Sequence, residues 1–93
     1  MYYEKQPLYG DRGTLLRWAE EQSEIGRRYG NRAYARREPT DGYSWSMFKF
    51  HVELGYAAML YGNKSNAYAQ EIAVGHCLTV VHRYAVMAAD ALR

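Results

Sequence analysis

The spacing of apolar residues predicts three helices, of which the first covers residues 14–37. Its apolar positions recur at intervals of three and four and describe one helical face, which Gln22 interrupts. These positions are Leu15, Trp18, Ile25 and Tyr29. Asp11 or Thr14 is the expected N-cap. Gly26 and Gly30 each cost about 1 kcal/mol relative to alanine inside a helix, so we expect the helix to kink or pause there.

A proline-containing turn at residues 38–42 leads to the second helix, predicted over 45–61 with Ser44 or Ser46 as its N-cap. Two neighbouring rows make its apolar surface broad. The row predicted to form the core is Trp45, Phe48, Val52, Gly55 and Met59, and the row beside it is Met47, His51, Leu54 and Ala58. Phe50 falls on the other side, so the pattern predicts that this ring is exposed.

The third helix is predicted over 66–92, with Ser65 or Asn66 as its N-cap, and two adjacent rows of it are apolar. One row is Ala73, Cys77, Val80, Tyr84, Met87 and Ala91, and the other is Val74, Leu78, Val81, Ala85, Ala88 and Leu92. A stripe this wide implies burial against two neighbours, so we expect this helix at the centre. The fold class is therefore an all-α, three-helix domain over residues 1–93, completed into a larger bundle as a homo-oligomer.

Composition narrows the function classes. The 93 residues are 48% hydrophobic and 24% charged, which is typical of a globular chain and excludes a disordered or collagen-like one. A single cysteine cannot form an internal disulfide, and the first residues lack the apolar run of a signal peptide, so the expected compartment is the cytoplasm. The charge-free stretches 72–82 and 54–63 are shorter than the roughly 20 residues of a spanning helix, so no membrane partner is expected.

Catalytic and metal-binding motifs are missing from the sequence. His51 and His76 are interpreted as partly buried, hydrogen-bonded core residues and His82 as exposed, because no ligand spacing relates them. Cys77 lies in an apolar row, where a thiol acts as a small, unreactive apolar group. We therefore expect no cofactor, no metal and no small-molecule substrate, and a small enzyme is the least favoured of three hypotheses.

The positive signal is a basic segment, residues 25–38. It contains five arginines and one glutamate, a local charge of +4 in a chain of net charge +2, interleaved with tyrosines. The candidate binding residues are Arg27, Arg28, Tyr29, Arg32, Tyr34, Arg36 and Arg37. If the helix is continuous, Arg28, Arg32 and Arg36 form one ridge at i,i+4 spacing. The bland alternative is a solvated helix end whose arginines pair with nearby glutamates.

Two functional hypotheses follow from this segment. The first is a small non-catalytic interaction protein that regulates or inhibits another macromolecule, or is a minor subunit of an assembly, and docks on an acidic protein surface, since arginine and tyrosine are common interface anchors. Phage-encoded inhibitors are often of this size and likewise lack catalytic motifs, but this is an analogy that no sequence motif supports. The second is a helical nucleic-acid-binding protein that uses the ridge between Arg27 and Arg37 for phosphates.

Overall fold

Three helices make up most of the protein. The computed structural model describes residues 12–62 and 67–93, and within these ranges α1 is Arg12–Ala35, α2 is Tyr43–Gly62 and α3 is Ala67–Ala91, with no strand. The predicted all-α, three-helix fold is confirmed, and each helix bound lies within two residues of the prediction. Because α1 begins at Arg12, Thr14 lies inside the helix and is not its cap. The other predicted caps of α1 and α3, Asp11, Ser65 and Asn66, lie outside the described residues.

The central helix is α2, so the prediction of a central third helix is wrong. α2 packs along both α1 and α3, whereas α1 and α3 share no comparable contact in the described ranges. On α3 a single stripe is buried, formed by Val74, Cys77, Val81 and Ala88. Ile72 and Val86 on its opposite side are exposed. The width of the apolar stripe on α3 therefore does not reflect a second neighbouring helix.

The core joins all three helices through α2. Its buried members are Leu15, Trp18 and Ala19 from α1, Phe50, Leu54 and Ala58 from α2, and Val81 from α3. Phe50 is thus buried, contrary to the prediction, because α2 has a neighbour on each side and its apolar surface is covered on both. Met59, predicted to be core, is exposed. The row assigned to the core, around Phe48 and Val52, is only half-buried.

Glycines allow α1 and α2 to approach closely. α1 runs without a break through Gly26 and Gly30, so the helix does not pause at these residues. A Cβ atom on Gly30 would lie 3.0 Å from Cδ1 of Phe48, and one on Gly55 would lie 3.1 Å from the carbonyl oxygen of Ala19. The helix propensity that these residues lose is offset by the close packing of the two helices, through the Phe48 ring at Gly30 and the Ala19 carbonyl at Gly55.

The turn between α1 and α2 is held by hydrogen bonds at both helix ends. The Arg37 N–H donates to the Tyr34 carbonyl (3.2 Å) and the Glu38 N–H to the Ala33 carbonyl (3.0 Å), which is the Schellman pattern. Arg37 adopts φ 51°, the left-handed conformation that glycine usually supplies at this position.

The N-terminus of α2 is capped from this turn rather than by its own serines. The Glu38 carboxylate accepts a hydrogen bond from the Ser44 N–H (3.1 Å). Hydrogen bonding to the Ser44 side chain, together with this N–H bond, holds the pKa of Glu38 below its usual value. Ser44 and Ser46 were the predicted caps. Both lie inside the first turn of a helix that begins at Tyr43, where their side chains are buried.

One described helix is long and apolar enough to cross a membrane by length and composition, although the charge-free stretches predicted none. It is the segment Glu71–Ala91 of α3, of which 22% is buried. A helix from the core of a soluble protein also passes this test. The cytoplasmic location therefore stays a prediction, and the structural finding is an apolar helix with one uncovered side.

Candidate interaction surface on helix α1

The continuity of α1 places five of the seven candidate residues on its C-terminal half, and Arg36 and Arg37 directly follow its last residue. The Arg36 N–H donates to the Arg32 carbonyl (3.0 Å), so the helical spacing persists and Arg28, Arg32 and Arg36 lie in one row. Tyr34 and Arg27 are seven residues apart and share a different flank. The predicted site is therefore one surface with two flanks rather than a single ridge.

A groove lies on each flank. The first, which we call the Tyr29 groove, is lined by Ile25, Arg28, Tyr29 and Arg32. The second, which we call the Tyr34 groove, is lined by Ala33, Tyr34, Ala35, Arg37, Glu38 and Trp45 and has a volume of about 410 Å³. Trp45 comes from α2 and was assigned to the core by the sequence pattern. No local signal identifies it as a groove residue, because its role depends on how α2 meets the end of α1.

Glu24 neutralises part of the arginine row. Its carboxylate accepts hydrogen bonds from Nε (3.1 Å) and from a terminal nitrogen of Arg27, and it lies 3.7 Å from Nε of Arg28. The bond from Arg27 lowers the pKa of Glu24, and the same bond raises the pKa of Arg27. These side chains are exposed, so the pairs contribute little to stability and mainly reduce the charge that a partner would meet.

Tyr29 and Arg32 are held in place by α2. The Tyr29 ring stacks on His51 with centroids 5.8 Å apart and meets the edge of Tyr43 at 6.1 Å. Arg32 places its guanidinium 4.8 Å from the Tyr29 centroid and donates from Nε to Oγ of Ser44 (3.2 Å). Burial and a hydrogen bond with Tyr29 raise the pKa of Tyr43. The Tyr29 groove therefore has preformed walls.

A buried polar pair lies beneath this groove. Nδ1 of His51 is 2.6 Å from Oε1 of Gln22, and both side chains are buried. Because the Gln22 oxygen only accepts, Nδ1 carries the proton and donates. Burial lowers the pKa of His51, which favours the neutral imidazole. The predicted hydrogen-bonded core histidine is confirmed. Its partner was not predicted, although the polar residue Gln22 within the apolar row of α1 was a signal that could have identified it.

The other histidines and the cysteine differ in their surroundings. His76 is exposed, so the prediction that it is buried is wrong: it faces away from the one side of α3 that packs on α2. His82 is exposed as predicted. Cys77 is buried, and burial together with the charge of Glu53 raises the pKa of its thiol, which disfavours the nucleophilic thiolate. Among the described residues, no three His, Cys, Asp or Glu side chains gather as metal ligands would.

At the end of α1, the side chains of Arg37 and Tyr34 remain uncommitted, whereas the positive charge of Arg36 attracts the Glu38 carboxylate. Within the described ranges, no carboxylate forms an ion pair with Arg36 or Arg37. The Tyr34 side chain is 80% exposed. The side chains of Arg37 and Tyr34 are therefore groups on this surface that have no partner among the described residues. Comparison with protein-family models, curated proteins and solved structures finds no match to the chain.

Proposed function

We propose that the protein is a small non-catalytic interaction protein that regulates, inhibits or assembles with another macromolecule. It docks on an acidic protein surface through the α1 surface that carries the seven candidate residues. The observation that supports this proposal is the juxtaposition of Arg37, which forms no ion pair with a described residue, with Tyr34, which is 80% exposed and lines the same groove. Arginine and tyrosine are the side chains that most often anchor protein interfaces.

The charges on α1 favour a protein partner over a nucleic acid. A nucleic acid is bound by a series of cations that follow its phosphates. Here Glu24 forms ion pairs with Arg27 and Arg28. Two further acidic residues, Glu20 and Glu21, are exposed about two turns before these arginines. The net positive charge is thereby confined to the last turns of α1. Such a short patch is complementary to a local group of carboxylates on a protein.

Photo-crosslinking from Tyr34 tests the proposal. Benzoylphenylalanine in place of Tyr34 is irradiated in the native lysate, with and without nuclease, and the attached molecule is identified and purified. Binding of the purified partner to the unmodified chain is then measured by titration calorimetry. We expect a protein partner whose affinity falls at least tenfold in Arg32→Glu/Arg36→Glu, because the double reversal places negative charge against the partner's carboxylates.

A matched control separates the surface from net charge. Arg83→Glu/Arg93→Glu makes the same change of charge on exposed residues in and just after α3, and should leave the affinity unchanged. Equal loss in both double variants would contradict docking through α1. A crosslink that nuclease removes, together with affinity that falls steeply with salt, would favour the nucleic-acid alternative instead.

A further inference from the structure

The Tyr34 groove has the walls of a pocket for a flat side chain. Trp45 is fixed, because its Nε1–H donates to the Glu38 carbonyl (3.0 Å) and its ring meets Phe48 edge-on at 5.7 Å. Tyr34 lines the same groove but makes no ring contact with Trp45, which leaves the space between them open. Ala33 and Ala35 line it with small side chains. A volume of about 410 Å³ is within the range of small-ligand sites.

Arg37 places a positive charge at this groove in spite of backbone strain. Its left-handed conformation is unfavourable for an arginine, whereas glycine adopts it freely. Its guanidinium forms no ion pair in the part of the chain that the structure describes. An unfavourable backbone conformation that presents an unpaired charge beside an aromatic pocket is typical of a functional position.

We infer that the Tyr34 groove binds an aromatic side chain of the acidic partner, while Arg37 pairs with a carboxylate next to that side chain. This inference rests on the proposed function and names the residue type that anchors the partner. A peptide segment is favoured over a nucleotide strand, because the groove offers a single guanidinium, which matches one carboxylate beside the aromatic side chain, whereas a strand carries a phosphate at every nucleotide.

Two acidic peptides and the indole signals of the protein test the inference. The probe is acetyl-Asp-Asp-Phe-Asp-Asp-amide, and its control has alanine in place of phenylalanine. In proton–nitrogen spectra of the labelled chain, the Nε1–H of Trp45 reports on the groove and that of Trp18, in the core, serves as the internal reference. We expect the phenylalanine peptide to shift the Trp45 signal saturably and to bind about tenfold more tightly than the alanine peptide, which corresponds to one anchor residue.

Variants separate the pocket from general electrostatic attraction. Arg37→Gly relieves strain, so it should fold at least as well as the parent chain while binding the phenylalanine peptide about tenfold more weakly. Tyr34→Ala should weaken binding similarly, because it removes one wall of the groove. It should not disturb the fold, since the ring is exposed and contributes no core contact. Arg83→Ala removes one charge from α3 and should leave binding unchanged.

Three outcomes would overturn the inference. They are an unmoved Trp45 signal, equal affinity for the two peptides, and tighter binding of a five-nucleotide thymidine oligomer than of the phenylalanine peptide.

The proposed function has a separate readout. If Arg32→Glu/Arg36→Glu abolishes binding of the crosslinked partner while Tyr34→Ala and Arg37→Gly do not weaken it, the α1 surface docks the protein and the groove is not its anchor site.

Discussion

At position 37, arginine makes the folded protein less stable than glycine would. It is the residue after the C-cap of α1, and its φ of 51° strains any side chain with a Cβ atom. We predict that Arg37→Gly raises the free energy of unfolding by about 0.5–1 kcal/mol, since relief of strain exceeds the added freedom of glycine in the unfolded chain. Urea unfolding followed by circular dichroism measures this.

Ala35→Gly is the matched control for Arg37→Gly, because Ala35 is the last helical residue of α1 and is exposed. The same replacement residue should here lower the free energy of unfolding, by up to about 1 kcal/mol. A decrease in both variants would show that the left-handed conformation of Arg37 carries no strain.

His51 gives the protein a pH dependence of defined sign. Its pKa in the folded state lies below 6.5, so the unfolded chain takes up a proton first as the pH falls. Stability is therefore full above pH 6.5 and decreases as the pH falls from 6.5 to the folded pKa. We predict that His51→Gln flattens this part of the profile of unfolding free energy against pH. His82→Gln, on the exposed side of α3, should leave it unchanged, and an unchanged profile in His51→Gln would contradict the assignment.

At the scale of the helices, two glycines should respond oppositely to the same substitution. Gly55 is buried against α1, where an added Cβ would lie 3.1 Å from the Ala19 carbonyl oxygen, while Gly75 on α3 has no atom within 4 Å of that position. We predict that Gly55→Ala destabilises the protein by roughly 1–3 kcal/mol, since the helices must separate. Gly75→Ala should stabilise it by roughly 0.5–1 kcal/mol. Thermal unfolding of both variants decides this, and stabilisation by Gly55→Ala would contradict the close contact.

The helices could be predicted from sequence, but their packing could not. Periodic apolar rows and the turn at Pro39 define where helices form, because these are local properties. Which helix is central depends on how many neighbours each one meets. Phe50 lay opposite the main row of α2 and was predicted to be exposed, yet a second neighbour buries it. Gly30 made a continuous α1 hard to predict, because a glycine lowers helix propensity locally. What it allows is a close contact with Phe48 on another helix, which the local sequence does not show.

As with the fold, the sequence predicted the position of the candidate surface but not its detailed shape. The cluster of arginines from Arg27 to Arg37 is visible in the chain, and the continuity of α1 aligns it. Its division into two grooves was not, because Trp45 and His51 reach it from α2. Pairing of the arginines with nearby glutamates was among the alternatives; it occurs between Glu24 and Arg27 but leaves Arg37 without an ion pair among the described residues. Local sequence therefore located the surface, and tertiary packing determined its shape.

At the scale of the whole molecule, the uncovered side of α3 bears on the expected homo-oligomer. Ile72 is 57% exposed and Val86 46% exposed, because α2 covers only the opposite side. We predict that a second copy covers this side, so light scattering after gel filtration should give a mass above the 10.8 kDa of one chain. Val86→Glu should return the mass to one chain, while Tyr56→Glu, at an exposed position of α2, should not. A mass of one chain for the parent protein at every concentration would contradict the prediction, and the apolar side of α3 would then be solvent-exposed in the free protein.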